Sequence, residues 1–169
     1  MDAAEPRTWC TIDSPIGPLT LLASQRGLSY IAFAAEDFTP PVHCVRGTSP
    51  VLEQASTELA EYFAGRRRDF AVLVDAPSPI TFRAQAQRCL REIPYGHTWS
   101  YSELAARAGR PSAARAAGSA CATNPVPIIV PCHRVLRADG STGHYRGGAS
   151  AKAFLLALEA RNQSGAGAV

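Results

Sequence analysis

Lysine is nearly missing from this 169-residue chain, and so is any long apolar run. No stretch approaches the roughly 18 apolar residues that a membrane span requires. The opening residues, Met1 to Arg7, are short and acidic and lack the apolar core of a signal peptide, so a soluble, cytoplasmic chain is expected. Its cysteines, Cys10, Cys44, Cys89, Cys121 and Cys132, are odd in number and scattered. With neither Cys-x-x-Cys nor Cys/His pairs at zinc spacing, they argue against a disulfide framework and a metal site, and they suit a reducing compartment. Acidic residues are scarce in one half: residues 82–169 carry four, against ten Arg and one Lys, whereas residues 1–81 carry ten, against six Arg. The halves therefore stand at +7 and −4. A basic half of this kind fits a polyanion, most commonly nucleic acid, although a solvated arginine-rich surface would give the same counts. At 46% apolar residues the chain can bury a core, in one domain or two small ones.

Three β-type runs, Thr8 to Ile12, Leu19 to Ala23 and Leu28 to Phe33, are separated by Ser14-Pro15-Ile16-Gly17-Pro18 and Arg26-Gly27. They predict an antiparallel meander. Ala34 to Ser49, with two adjacent prolines, predicts a surface loop. A helix follows with Ser49 as N-cap and Pro50 at its first position, carrying Val51, Leu52, Ala55, Leu59 and Phe63 on one side and ending at Gly65. Arg68 to Asp75 predicts one more strand. Residues 1–77 thus form a small N-terminal α/β domain, joined through Ala76-Pro77-Ser78-Pro79 to residues 78–169. There Thr81 caps a helix whose Phe82, Ala86, Cys89, Leu90 and Ile93 keep a helical period up to Pro94-Tyr95-Gly96. Ser100-Tyr101-Ser102-Glu103 matches a capping box and opens a short helix to Ala108. After Gly109-Arg110-Pro111, Ser112 can cap a second helix to Ala122, which completes the outline of a helix-turn-helix. That second helix is almost entirely Ala, Gly and Ser, with Arg115 its single large projection. It could lie close against a groove or pack tightly on a neighbouring helix. Ser150 caps the last helix, with Ala151, Phe154, Leu155 and Leu158 as its apolar stripe, and Asn162 to Val169 form a frayed tail. The expected fold class is α+β: a small antiparallel-sheet domain with a helix, then a mostly helical domain with a helix-turn-helix.

The chemistry points to Ile128-Ile129-Val130-Pro131-Cys132-His133-Arg134-Val135-Leu136, a Cys-His pair behind an apolar run stopped by proline. A thiol is mostly protonated at neutral pH, so a nucleophilic cysteine needs a neighbouring base or positive field. His133 can supply the base, through a turn and one water. Glu159 follows Leu155 by four residues and can orient the imidazole, and Lys152 lies on the same side of that helix. An isolated Cys-His pair also fits a merely buried thiol in a DNA-binding module, or a hydrolase whose oxyanion hole the sequence does not reveal.

Pro131-Cys132-His133-Arg134-Val135, preceded by Asn124-Pro125-Val126-Pro127-Ile128-Ile129-Val130 and followed by Gly143-His144-Tyr145-Arg146-Gly147-Gly148, resembles the active-site region of the methylated-DNA protein-cysteine methyltransferases, the O6-alkylguanine-DNA alkyltransferases. Ile93-Pro94-Tyr95-Gly96, Ser100-Tyr101, Ala114-Arg115-Ala116, Leu155-Leu156-Ala157-Leu158-Glu159 and Asp13-Ser14-Pro15-Ile16-Gly17 extend the resemblance over nearly the whole chain. The resemblance implies a ribonuclease H-like first domain and a helix-turn-helix that binds the minor groove of double-stranded DNA containing O6-alkylguanine, with O4-alkylthymine a possible second substrate. Arg115 would fill the gap left by a flipped nucleotide, and Ser102, Arg110, Ala114 and Arg83 would contact DNA. Cys132 would accept the alkyl group, once per molecule, with its proton passing to His133. Glu159 would orient His133, Tyr101 would hydrogen-bond the guanine, and Asn124 would brace the hinge. Val135, Tyr145, Arg146 and Gly147 would line the base pocket and Lys152 would support it. No cofactor is implied; Glu5, Ser24 and Ser29 stand where some relatives hold zinc, so no metal is expected. A monomer without an obligate protein partner is expected, associated with the nucleoid in a prokaryote; the sequence leaves open whether it assembles cooperatively on DNA. The alternative is a non-enzymatic module that binds alkylated DNA. Ala86-Gln87 stand where the family has a valine-tryptophan pair, which predicts looser helix packing there.

Overall fold

A computed structural model of the protein describes residues 5–166. It divides into two compact units between Ala76 and Pro77.

In the first unit, β1 (Arg7–Ile12), β2 (Leu19–Ala23) and β3 (Leu28–Phe33) pair antiparallel, and β4 (Cys44–Arg46) joins β1 in parallel, giving the order β3-β2-β1-β4. The segment expected as a loop between Ala34 and Ser49 therefore contributes an edge strand. Helix α1 (Pro50–Phe63) packs on β1, β2 and β3, and the Ser49 side chain accepts from the Leu52 N–H at its N-terminus. Its buried stripe is Leu52, Ala55, Glu58, Leu59 and Tyr62, while Val51 and Phe63 are only half-buried. A carboxylate can sit in that stripe because it is hydrogen-bonded: Glu58 accepts from the Ala71 and Val72 N–H groups at 3.0 Å each. Those bonds also explain why Arg68 to Asp75 is not a strand. Glu58 holds two of its amides, and only an isolated bridge forms, between Val74 and Leu28.

The second unit contains α2 (Phe82–Leu90), β5 (Trp99–Ser100), α3 (Tyr101–Arg107), α4 (Ala114–Ala122), a 3-10 turn (Cys132–Arg134), β6 (Val135–Leu136) and α5 (Ala149–Ala166). Thr81 caps α2, and both arms of the Ser100/Glu103 capping box form at the start of α3. Helix α2 stops at Leu90 rather than Ile93; turn bonds from Glu92 and Ile93 to the Cys89 and Leu90 carbonyls carry the chain on and leave Ile93 buried. At α4 the N-cap is Ala113, not Ser112, because the Ala113 N–H closes a turn onto the Arg110 carbonyl and brings the helix start one residue later. Helix α5 begins at Ala149, so Ser150 lies inside its first turn instead of capping it. Its buried stripe is Ala151, Lys152, Leu155, Leu158 and Glu159, with Phe154 half-buried, so the stripe is not purely apolar. The helix continues past Asn162, whose side-chain amide donates to the Tyr95 hydroxyl at 3.2 Å. The expected fraying from that residue is absent as far as Ala166, and 167–169 lie outside the described residues. Beneath α4, Ala86 is fully buried and the Gln87 side chain donates to the Ala120 carbonyl at 3.1 Å. A polar tie joins α2 to α4 at the site of the expected looser packing. Among the described residues no helix is long and apolar enough to cross a membrane.

Gly27 tests the first unit. At φ 155° it lies outside ordinary L-residue backbone space, and a Cβ there would stand 2.6 Å from the Leu73 carbonyl oxygen and 2.9 Å from the Asp75 nitrogen. Gly27→Ala is expected to destabilise this unit by about 1–3 kcal/mol, with an earlier urea midpoint and faster amide exchange in β2 and β3. An unchanged midpoint would refute the close-approach argument.

Candidate active site

The loop after α4 is closed by one side chain. Asn124 donates from Nδ2 to the Val130 carbonyl at 2.8 Å and accepts from the Val126 N–H at 3.1 Å. Inside this loop Ile128 is fully buried at φ 74°, a left-handed conformation that a β-branched residue rarely adopts. Two tied ends and the rigid Pro131 hold it there, and the chain emerges into the 3-10 turn carrying Cys132, His133 and Arg134.

Cys132 is 4% exposed. Burial pushes its thiol pKa above the ordinary value, against a hydrogen bond from Asn124 and the positive charges of Lys152 and Arg146. The thiol is therefore protonated at neutral pH and has to lose its proton before it can act as a nucleophile.

His133 is fully buried, with Nε2 2.6 Å from Glu159 Oε2. Burial lowers its pKa, opposed by Glu159 and aided by Arg134 and Lys152, so the ring is neutral at pH 7. Glu159 is 1% exposed; burial alone would raise its pKa, but the bonds from His133 and Arg134 prevail and hold the carboxyl well below the usual range. An ionised Glu159 has no proton to donate, so Nε2–H is the donor and the tautomer is fixed. Nδ1 is left without a proton, buried and with no hydrogen-bond partner.

The sequence reading passed over Arg134 as a working residue. It is 5% exposed, and it donates from Nε to Glu159 Oε1 at 2.8 Å, from Nη2 to Oε2 at 3.2 Å and from Nη1 to the Ile93 carbonyl at 2.7 Å. Its guanidinium lies 5.6 Å from the centre of the Tyr95 ring. The Gly96 N–H adds a bond to Glu159 Oε1 at 3.1 Å. The available signal was charge within an otherwise buried run, since an arginine there has to find partners.

The other expected site residues fall into two groups. Lys152 is fully buried and donates to the Val135 carbonyl at 2.7 Å, and burial lowers its pKa. Arg146 donates to the Asn124 carbonyl, Tyr145 and Val135 are buried, and Gly147 is half-buried. Tyr101, half-buried at the start of α3, has its phenol pKa raised by burial and then by the neighbouring Cys121 and Cys132 thiols. Its hydroxyl would lie 2.8 Å from a Cβ placed on Gly143, so that glycine makes room for it. By contrast, Arg83, Ser102, Arg110 and Arg115 are exposed and Ala114 half-buried, distributed over α2, α3, the turn and α4. They lie outside the hydrogen-bonded network around Glu159. Cys121, on the buried face of α4, is pushed up to about 12, chiefly by burial.

Fold and site define a class of protein in which a helix-turn-helix unit carries a buried thiol beside an imidazole with a free nitrogen. Comparisons with known proteins narrow that class. The model of the 6-O-methylguanine DNA methyltransferase ribonuclease-like domain matches residues 8–76, and that of the DNA binding domain of the same family matches residues 81–161. A methylated-DNA--protein-cysteine methyltransferase of Methanosarcina acetivorans is 40% identical over 153 residues, covering 89% of this chain and 97% of its own length. One from Mycobacterium tuberculosis is 41% identical over 149 residues, covering 88% and 90%. The crystal structure of Mycobacterium tuberculosis OGT in complex with DNA superposes with a TM-score of 0.83 at 40% identity, over 92% of this chain and 94% of that one. The chain belongs to the 6-O-methylguanine DNA methyltransferase family.

Two outcomes follow from the geometry. The depressed pKa of Glu159 contributes stability that is fully present above about pH 4.3, the ordinary glutamate value, and is lost as the pH falls through its folded value. Glu159→Gln should flatten that acid limb and, by leaving Arg134 buried without its counter-charge, cost about 3–5 kcal/mol at neutral pH. Urea titrations between pH 3 and pH 7 check both. Gly143→Ala should displace the Tyr101 hydroxyl and slow transfer from alkylated DNA while the far-UV spectrum stays unchanged. Wild-type single-turnover kinetics in that variant would refute it.

Proposed function

We propose that this protein repairs duplex DNA by moving a methyl or larger alkyl group from O6 of guanine irreversibly to Cys132, one group per protein molecule. The observation that carries this reading is the 2.6 Å hydrogen bond between His133 and Glu159, one residue on from the buried Cys132, in a chain whose two halves both match the family. The thiol proton passes, relayed by a water, to the bare Nδ1 of His133, and Glu159 stabilises the imidazolium that forms. Cys132 sulfur attacks the alkyl carbon, the carbon–O6 bond breaks, and its electron pair leaves with the guanine. Tyr101, whose phenol keeps its proton, donates to N3 as negative charge develops on the leaving base. The departing guanine takes up one proton and His133 gives up the one it received, so that overall the thiol and the O6-alkylguanine become a thioether and guanine. The thioether does not hydrolyse, so no turnover follows.

In this reading residues 78–169 form the DNA-binding and acceptor domain, and residues 1–77 the ribonuclease-like domain. Arg115, the single large exposed side chain of a small-residue helix, fills the space of the extruded nucleotide from the minor groove. Ser102, Arg110, Ala114 and Arg83 contact the duplex around it. Asn124 braces the loop that sets Cys132, Val135, Tyr145, Arg146 and Gly147 line the base pocket, and Lys152 supplies positive field at the thiol. We place the protein in the cytoplasm, acting as a monomer.

Incubation with excess duplex carrying one O6-methylguanine, followed by peptide mass spectrometry, should give a single added methyl on Cys132 and guanine formed up to one equivalent of protein. Cys132→Ala should abolish transfer while duplex binding persists. An unmodified Cys132 on tightly bound DNA would instead establish a lesion-binding module.

A further inference from the structure

Transfer needs His133 to be a base when substrate arrives; burial favours the neutral ring, but a carboxylate 2.6 Å away pulls it towards an imidazolium beforehand. A histidine charged at rest has no lone pair left for the thiol proton. The question is what offsets the carboxylate.

Arg134 is placed to do so. It contacts both oxygens of Glu159 through a two-nitrogen fork, at 2.8 and 3.2 Å, and its third nitrogen is anchored to the Ile93 carbonyl at 2.7 Å. A planar guanidinium with five fixed donors suits this task, because it sets the carboxylate's orientation as well as its charge. The Gly96 N–H completes the setting from the loop after α2. The charged and titratable groups around His133 are then Glu159 and Lys152 from α5, Arg134 and Cys132 from its own turn, and no further carboxylate among those that act on it. Among the described residues Glu159 is the group that favours the charged ring; burial opposes it, and Arg134 meets its charge at contact distance.

We propose that Arg134 is a positioning residue for alkyl transfer: by clamping Glu159 it fixes the acceptor for His133 Nε2–H and cancels enough of its charge to keep His133 neutral, with Nδ1 bare, until Cys132 yields its proton. The proposal rests on the reading above, in which His133 receives that proton. It assigns Arg134 a role separate from filling space, since a neutral residue of similar size would preserve packing and lose the offset.

Single-turnover transfer to Cys132 measured from pH 5 to pH 8.5, for wild type, Arg134→Lys and Arg134→Gln, tests it. Loss of the positive charge in Arg134→Gln should move the acid limb upward by roughly one pH unit, and Arg134→Lys should restore it towards wild type. Slower transfer at every pH with the acid limb in place in both variants would mean that Arg134 is structural only, and would overturn the proposal. If Arg134→Gln does not fold, nitrogen-15 spectra of the His133 ring in the wild type still decide. A neutral Nε2–H tautomer at pH 6.5 is expected, and an imidazolium at that pH would show that Glu159 is not offset. Failure of the underlying reading would look different: no methyl would appear on wild-type Cys132 at any pH.

Discussion

The carboxylate of Glu159 is the group around which the second unit is organised. Removing it from water costs several kcal/mol unless its lone pairs are filled, and here they are filled from two other places in the chain: the 3-10 turn through His133 and Arg134, and the loop after α2 through Gly96. Charge-assisted bonds of this length are about twice as strong as neutral ones. One buried ion therefore fixes how α5 meets the turn bearing Cys132. The same bonds that stabilise the fold determine which histidine nitrogen is free.

A second consequence is electrostatic restraint. Burial raises the Cys132 thiol and lowers His133, so both partners are neutral at rest instead of forming a thiolate–imidazolium pair. A standing thiolate would react with any soft electrophile that reached it. In the proposed mechanism, a thiol that ionises only as its proton moves to His133 is held back for the reaction its pocket favours. For a protein that can act only once, this protects the acceptor.

Much of this architecture was legible in the chain because local chemistry and tertiary structure agree. Ser49, Thr81 and the Ser100/Glu103 pair cap helices as their residue types require, and the three meander strands fall on the β-type runs between their turn residues. The misplacements occur where a distant group decides. Arg68 to Asp75 has strand composition, but Glu58, on the preceding helix α1, holds two of its amides. On α5 the helical period located Ala151, Leu155 and Leu158, but the buried stripe also takes in Lys152 and Glu159, which apolar spacing alone leaves out, and Phe154 is only half-buried. In the site itself, Cys132, His133 and Glu159 could be named from sequence, whereas Arg134 could not be given a task until its three anchors were seen in space.

The scarcity of lysine has one more implication. Lys152 is the sole lysine of the chain, and it is fully buried with its amine bound to a backbone carbonyl. The exterior consequently offers no ε-amine: whatever positive field it turns towards a partner is guanidinium, delocalised, planar and charged at every pH a cell can reach. Chemistry that marks proteins through surface lysines, whether an enzyme's acetyl or ubiquitin transfer or a chemist's amine-directed label, finds no side chain to attack on the folded molecule.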